Sequence, residues 1–238
     1  MTSKDLGGIW VPIISDILGR DVERGKLLIG FYDPSAHWLS FSLTLASALL
    51  QKGYMVNVTT TNTPPSEIRR IMSLAVPKLK EPNVANRFTI SDVYTWQTGR
   101  KSDEADTADS LSLAKASIDF GTKWVKSMSN YDLAVTDNFS PFLRYNDERV
   151  FTQWLDKIVP HVHEMKGVRI WSFNKRIHSD ALYAILESLA DGIIELDYRE
   201  SEGGLEHVLR VKSMKGMPHP SDWRRLTMNS DGSMQLAK

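Results

Sequence analysis

The sequence predicts an α/β protein, a mainly parallel sheet covered by helices on both faces and finished by antiparallel hairpin strands. Three observations carry this expectation. Short apolar runs of strand length alternate with longer segments whose apolar residues recur at helical spacing. Several of these runs, Lys26–Gly30 first among them, read as buried strands, while Tyr54–Thr59 alternates in polarity. Two further strand-like runs near the end of the chain are separated only by Glu202-Gly203-Gly204, a hairpin signal.

Lys26–Gly30 (KLLIG) is the first buried strand, ending in glycine. Leu39–Lys52 has no breaker before Gly53 and reads as a buried helix with a glycine C-terminal stop. Tyr54–Thr59 is rich in β-branched residues and forms the second strand. A helix follows, with Thr63 as its cap, Pro64 at its first position, and Ile68, Ile71, Met72 and Ala75 on one face. Arg87–Ile90 is a strand, and the polar stretch Gly99–Asp109 is an exposed loop. Leu111–Met128 returns to helical spacing, and Tyr131–Asp137 is a buried strand ending in an acid. Glu148–Met165 is helical with a kink expected near Pro160. Val168–Phe173, Asp180–Leu189, Gly192–Tyr198 and Leu205–Ser213 complete the order as strand, helix and two hairpin strands. With right-handed crossovers this order gives one layered sheet, read as a single unit over residues 1–238.

Composition narrows the function classes. The 238 residues contain 29 acidic and 29 basic side chains, so no net field draws the chain to nucleic acid or to an anionic membrane. There are no cysteines, which removes disulfides, thiolate metal sites and a thiol nucleophile. No apolar run approaches the ~20 residues that span a bilayer, and the opening MTSKDLGGIW lacks a basic segment followed by an apolar one. A cytoplasmic protein without a membrane partner is expected.

Several phrases, in their order, resemble the KaiC and archaeal RadA-like branch of the RecA-type ATPases. They are Pro12–Gly30, Tyr54–Asn62, Tyr131–Pro141, and Leu189–Tyr198 followed by Val208–His219, together spanning nearly the whole chain. The resemblance implies a RecA-like fold whose ligand would be ATP with Mg²⁺. It also implies a phosphate loop of glycines, a lysine and a Ser/Thr after the first strand. The segment there is Gly30-Phe31-Tyr32-Asp33-Pro34-Ser35-Ala36-His37-Trp38, in which only the first glycine remains and the next lysine is Lys52. The Gly-Lys-Thr positions fall near Ser35, Ala36 and His37. Asp33 would face phosphate with a negative charge, and Phe31, Tyr32 and Trp38 would occupy space that phosphates need. His37 could supply only a weak, pH-dependent cation.

The family's catalytic carboxylate corresponds to Asn62, which accepts no proton at neutral pH. Its simpler role is to cap the following helix together with Thr63. The family's Lys-x-Arg finger, supplied to a neighbouring subunit, corresponds to Ser213 and Lys215. Lys212 lies beside it on the opposite strand face. Asp137 matches the Walker B acid, either holding Mg²⁺ through water or serving as a turn-capping acid. No catalytic residue, metal ligand or cofactor is therefore assigned. The expectation is a pseudo-ATPase acting through assembly with itself or with a RecA-like paralogue. An atypical ATPase using Asp137, and an accessory DNA-binding recombination protein, are the alternatives. Lys175 and Arg176, after the Val168–Phe173 strand, are the candidate nucleic-acid contacts, a solvated turn being the plainer reading. His161 and His163 stand two apart on a helix and cannot chelate together. Trp96, Trp124, Trp154 and Trp171 read as core residues. His219, Trp223, Arg224 and Arg225 could form an interface.

Overall fold

A computed structural model describes residues 7–107, 129–201 and 204–237. Its main sheet has ten strands in the order β12-β11-β10-β9-β3-β8-β7-β4-β5-β6. The central strands are β3 (Leu27–Tyr32), β4 (Val56–Thr60), β5 (Phe88–Asp92), β7 (Leu133–Thr136) and β8 (Val168–Asn174), with β9 (Gly192–Ser201) beyond β3. The pairings among these six, and that of β5 with β6 (Asp106–Thr107), are parallel. β10 (Gly204–Met214), β11 (Arg224–Met228) and β12 (Met234–Leu236) extend the sheet by antiparallel pairing. The sequence-predicted fold class is the observed one.

Strand alternation divides the core between the two faces. On β3, Leu28 and Tyr32 belong to one cluster, and Leu27, Ile29 and Phe31 to the other. The first face is covered by α2 (Trp38–Gln51), through Phe41, Leu45 and Leu49, and by α3 (Pro65–Ala75), through Ile68 and Met72. The second is covered by α6 (Glu148–His163), through Phe151, Leu155 and Ile158, and by α7 (Asp180–Leu189), through Leu182 and Leu186. Short helices α1 (Ile14–Leu18), α4 (Pro82–Ala85) and α5 (Ser140–Tyr145) fill the connections, and β1 (Gly8–Ile9) pairs with β2 (Val22–Glu23) in a separate ribbon.

Several local expectations are corrected. Pro64, rather than Thr63, is the N-cap of α3, and Pro65 takes its first position. Proline has no side-chain acceptor, so the cap is made by carbonyl geometry alone: the Glu67 and Ile68 amides donate to the Pro64 carbonyl. α6 runs on through Pro160 into its last turn. Part of the expected exposed loop is drawn onto the sheet as β6, where the Ser91 hydroxyl donates to the Asp106 carboxylate. The helix expected over Leu111–Met128, with Trp124, lies outside the described residues, as do Glu202 and Gly203. The hairpin itself is present, with Gly204 paired to Ser201.

The N-terminal edge of the sheet is held by Asp132. One carboxylate oxygen accepts from Arg24 Nη1 at 2.7 Å, and the other from the Met55 amide at 2.9 Å. The Asp132 carbonyl accepts from Val168 N at 2.8 Å, so one residue joins the starts of β4, β7 and β8. Beside it Arg169 is buried within the second face, donating to the Tyr131 and Val168 carbonyls. Burial pushes its guanidinium down to about 10. Asp132→Ala is expected to lower unfolding stability by about 1–3 kcal/mol, because the Met55 amide and Arg24 lose their acceptor. Urea denaturation of the two proteins checks it.

Candidate functional site

In sheets of this kind ligands bind outside the carboxyl ends of the parallel strands. The turn after β3 and the residues just past β4 and β7 are therefore the place to look. Gly30 is tightly constrained: a Cβ there would stand 2.0 Å from Trp38 Cη2. Trp38, the first residue of α2, turns its indole back over the strand instead of outward. The ring is buried, stacks on Tyr32 at 5.3 Å and 20°, and leans on Phe41 at 5.2 Å. Its Nε1–H donates to the Thr136 carbonyl at 3.3 Å. Tyr32 Oη donates to the Asp137 carbonyl at 3.5 Å, and burial pushes its phenol far above the ordinary range. Phe31 faces the other side of the sheet, edge-on to Tyr183 at 5.3 Å, so of the three aromatic residues only Tyr32 and Trp38 fill this space.

The turn between them uses its own donors. The Ser35 amide donates to Asp33 Oδ1 at 3.0 Å, the Ala36 amide to the Asp33 carbonyl at 2.8 Å, and the Asp33 amide to the Leu196 carbonyl at 3.1 Å. Asp33 Oδ2 lies 3.9 Å from Arg176. His37 is the N-cap of α2 in the left-handed region (φ 55°), makes no side-chain cap, and sets its ring 5.1 Å from that of His207 on β10.

Asp137 follows β7 and is nearly inaccessible to solvent. Oδ1 accepts from the Thr61 amide at 2.8 Å and the Thr61 hydroxyl at 2.9 Å. Oδ2 accepts from the Asn62 amide and the Thr60 hydroxyl, both at 3.0 Å. Four donors from the end of β4 thus surround one carboxylate. Burial pushes its pKa up, against the pull of these donors. The position read as a possible Mg²⁺ ligand is thereby bound to the adjoining turn, and Asn62 contributes through its backbone instead of capping α3.

The other sequence candidates lie apart. Lys175 Nζ reaches Asp197 at 3.1 Å and Glu195 at 4.0 Å, whereas Arg176 is exposed. Trp223 lies among cations: Lys175, Arg199 and Arg210 approach its ring within 4.6–5.5 Å. This cluster joins Lys175 to residues that the sequence reading had not connected. Lys215 is on the opposite edge of the sheet from Asp137, its amide donating to the Asp191 carbonyl and its Nζ to the Ser188 carbonyl at the end of α7. Lys212 pairs with Glu187 at 2.6 Å. His163 pairs with Asp191 at 3.0 Å and His161 with Glu164 at 3.6 Å. Trp171 is core, while Trp96 and Trp154 are half-buried.

Two open clefts occur elsewhere. One of about 500 Å³ lies beside the start of α3, lined by Arg69, Asp92, Tyr94 and Arg100. The other, of about 710 Å³, lies at the N-terminal edge and is lined by Arg24, Lys26, His163 and Asp191. Neither includes the Gly30–Trp38 turn or Asp137.

Among solved structures, the chain is similar to KaiC-like protein PH0186 from the hyperthermophilic archaeon Pyrococcus horikoshii OT3. The TM-score is 0.67, and the alignment covers 98% of this chain and 97% of that one at 17% identity. The fold is KaiC-like. No protein-family model matches the chain, and no curated protein matches it. Within the described residues no helix is long and apolar enough to cross a membrane, and no group of three or more His, Cys, Asp or Glu residues is placed to hold a metal.

Two predictions follow from this geometry. Gly30→Ala forces the Trp38 ring from its seat and is expected to cost about 1–3 kcal/mol. Trp38→Ala leaves a cavity and costs about 3–5 kcal/mol, both read from chemical denaturation. The second concerns pH. Burial holds the His178 imidazole below its ordinary value against the opposite pull of Glu148, and burial and then His37 do the same for His207. The unfolded chain therefore takes up protons first as pH falls below about 6.5, and stability declines from there toward the lower folded values. His178→Gln should flatten part of that slope between pH 7.5 and 5.5 in thermal melts.

Proposed function

We propose that this chain is a non-hydrolysing KaiC-like protein that acts by association, primarily with further copies of itself. The observation that carries the reading is the Trp38 indole seated over Gly30. A nucleotide's phosphates need glycine amides facing outward, a lysine for their charge and a Ser/Thr hydroxyl for Mg²⁺. Here the indole takes the space, the Asp33, Ser35 and Ala36 amides are bonded within the protein, and the nearest following lysine is Lys52 at the end of α2. The residues present do not fit ATP with Mg²⁺ at this turn.

Association is supported by apolar side chains on the antiparallel extension. Leu205 on β10 and Met228 on β11 are 64% and 41% exposed. Both lie two residues beyond the His207–Leu226 pair, at the end of the β10–β11 ladder. Exposed neighbouring apolar residues on a sheet extension suit a protein contact. An active RecA-like paralogue as partner is the second form of the same reading.

The purified 27.0 kDa chain is expected to show no ATP hydrolysis and no thermal shift with ATP and Mg²⁺. Light scattering should give a mass above one chain, reduced by Leu205→Glu with Met228→Glu. A monomer that hydrolyses ATP, with the activity lost in Asp137→Ala, would overturn the reading. A monomer without hydrolysis that gains mass only beside a RecA-like ATPase would redirect it to the heteromeric form.

A further inference from the structure

We propose that His37 and His207 form a two-histidine site for a divalent transition-metal ion. His37 comes from the N-cap of α2 and His207 from β10, 170 positions later in the sequence, so the fold rather than local spacing brings them together. Their ring centroids are 5.1 Å apart with planes at 83°. Two imidazoles that each place a nitrogen about 2.0–2.1 Å from one tetrahedral ion have centroids about 5 Å apart. The observed separation is compatible with that of a chelating pair, and rotation of the exposed His37 ring is what would turn a nitrogen of each imidazole toward one ion. His37 is exposed and able to turn.

The backbone positions favour such a site. β10 is hydrogen-bonded to both β9 and β11 at His207, and His37 begins a fourteen-residue helix packed on the core. Neither imidazole has a hydrogen-bond partner among the described residues, and His207 Nδ1 is buried without one. A buried nitrogen left unpaired is costly, and a bound ion would satisfy it. The amide dipoles at the start of α2 oppose a cation. His37 stands at an exposed position, where that opposition is screened. With two protein ligands, the remaining positions are left to water or to a ligand from outside the chain. Imidazole donors select Cu²⁺, Ni²⁺ or Zn²⁺ over Mg²⁺ and Ca²⁺, with Cu²⁺ held most tightly. The site is independent of the proposed loss of ATP hydrolysis, since neither histidine is needed for that reading.

The test is calorimetric titration of the purified chain with Cu²⁺, Ni²⁺ and Zn²⁺ at pH 7.5, with Mg²⁺ as control. His37→Gly removes the ring while suiting the left-handed backbone there, and His207→Gln removes the second ligand. One ion per chain is expected, in the order Cu²⁺ above Ni²⁺ and Zn²⁺. Affinity should fall at least tenfold in each variant and be unchanged in His161→Ala with His163→Ala. The paramagnetic resonance spectrum of the Cu²⁺ form should carry hyperfine structure from two nitrogens, reduced to one in His37→Gly. The proposal is overturned if no ion binds, if His37→Gly binds as tightly as the natural chain, or if the His161/His163 variant alone loses the ion. Should His207→Gln fail to fold, His37→Gly and the nitrogen count decide the matter alone.

Discussion

A carboxylate removed from water must take its hydrogen bonds from the chain, and at Asp137 that requirement organises the middle of the sheet. β4 and β7 are neighbours, but the chain leaves them in opposite directions, β4 toward β5 and β7 toward β8. At such a reversal the connecting turns part and a crevice opens. Here the four donors on Asp137 draw the turn after β4 against the end of β7, the Thr61 hydroxyl sharing its one proton between the Asp137 carboxylate and the Asn138 carbonyl 2.6 Å away. Ser172 on β8 joins through its hydroxyl, whose one proton is shared between the Thr136 carbonyl at 2.9 Å and the Asp137 carbonyl at 3.1 Å. The crevice is tied across rather than left open.

Trp38 continues the same closure toward β3. Its indole bonds the Thr136 carbonyl one residue before Asp137, and the Tyr32 hydroxyl bonds the Asp137 carbonyl itself. One short stretch of backbone therefore receives the aromatic pair from one side and the β4 turn from the other. Glycine at position 30 makes this possible, because any side chain there would meet the ring. The glycine that resembles the first residue of a phosphate loop has a packing role in this protein.

Much of the fold was legible because buried strands show as short runs rich in apolar residues, and Lys26–Gly30, Tyr131–Asp137 and Val168–Phe173 stand out as such. β11 was not legible: in Arg224–Met228 only Leu226 is buried, so neither an apolar run nor a strict alternation marks it. β1, β2 and β6 are two residues each, below the length at which periodicity exists. At the site, the sequence pointed to Tyr32, Trp38, His37 and Asp137, whose residue types sit oddly in a phosphate loop or alone at a strand end. Phe31 was grouped with them, but the two-residue period turns it to the other face. Nothing in the order of residues could bring His207 to His37 or Arg199 and Arg210 to Trp223, because those contacts depend on strand pairing between distant segments.

The place of β3 has a consequence for how the molecule is made. It stands between β8 and β9, strands that lie roughly 140–165 residues further along the chain. At about 5–20 residues per second of synthesis, β3 leaves the ribosome long before either partner exists. Its buried run then waits roughly 7–30 seconds with both hydrogen-bonding edges open. During that interval α2, which follows directly, is the nearest apolar surface, and the Trp38 ring folded over Gly30 is the contact that can form first. A packing detail that closes the site in the finished protein thus also covers one face of this strand, while its two edges wait for β8 and β9.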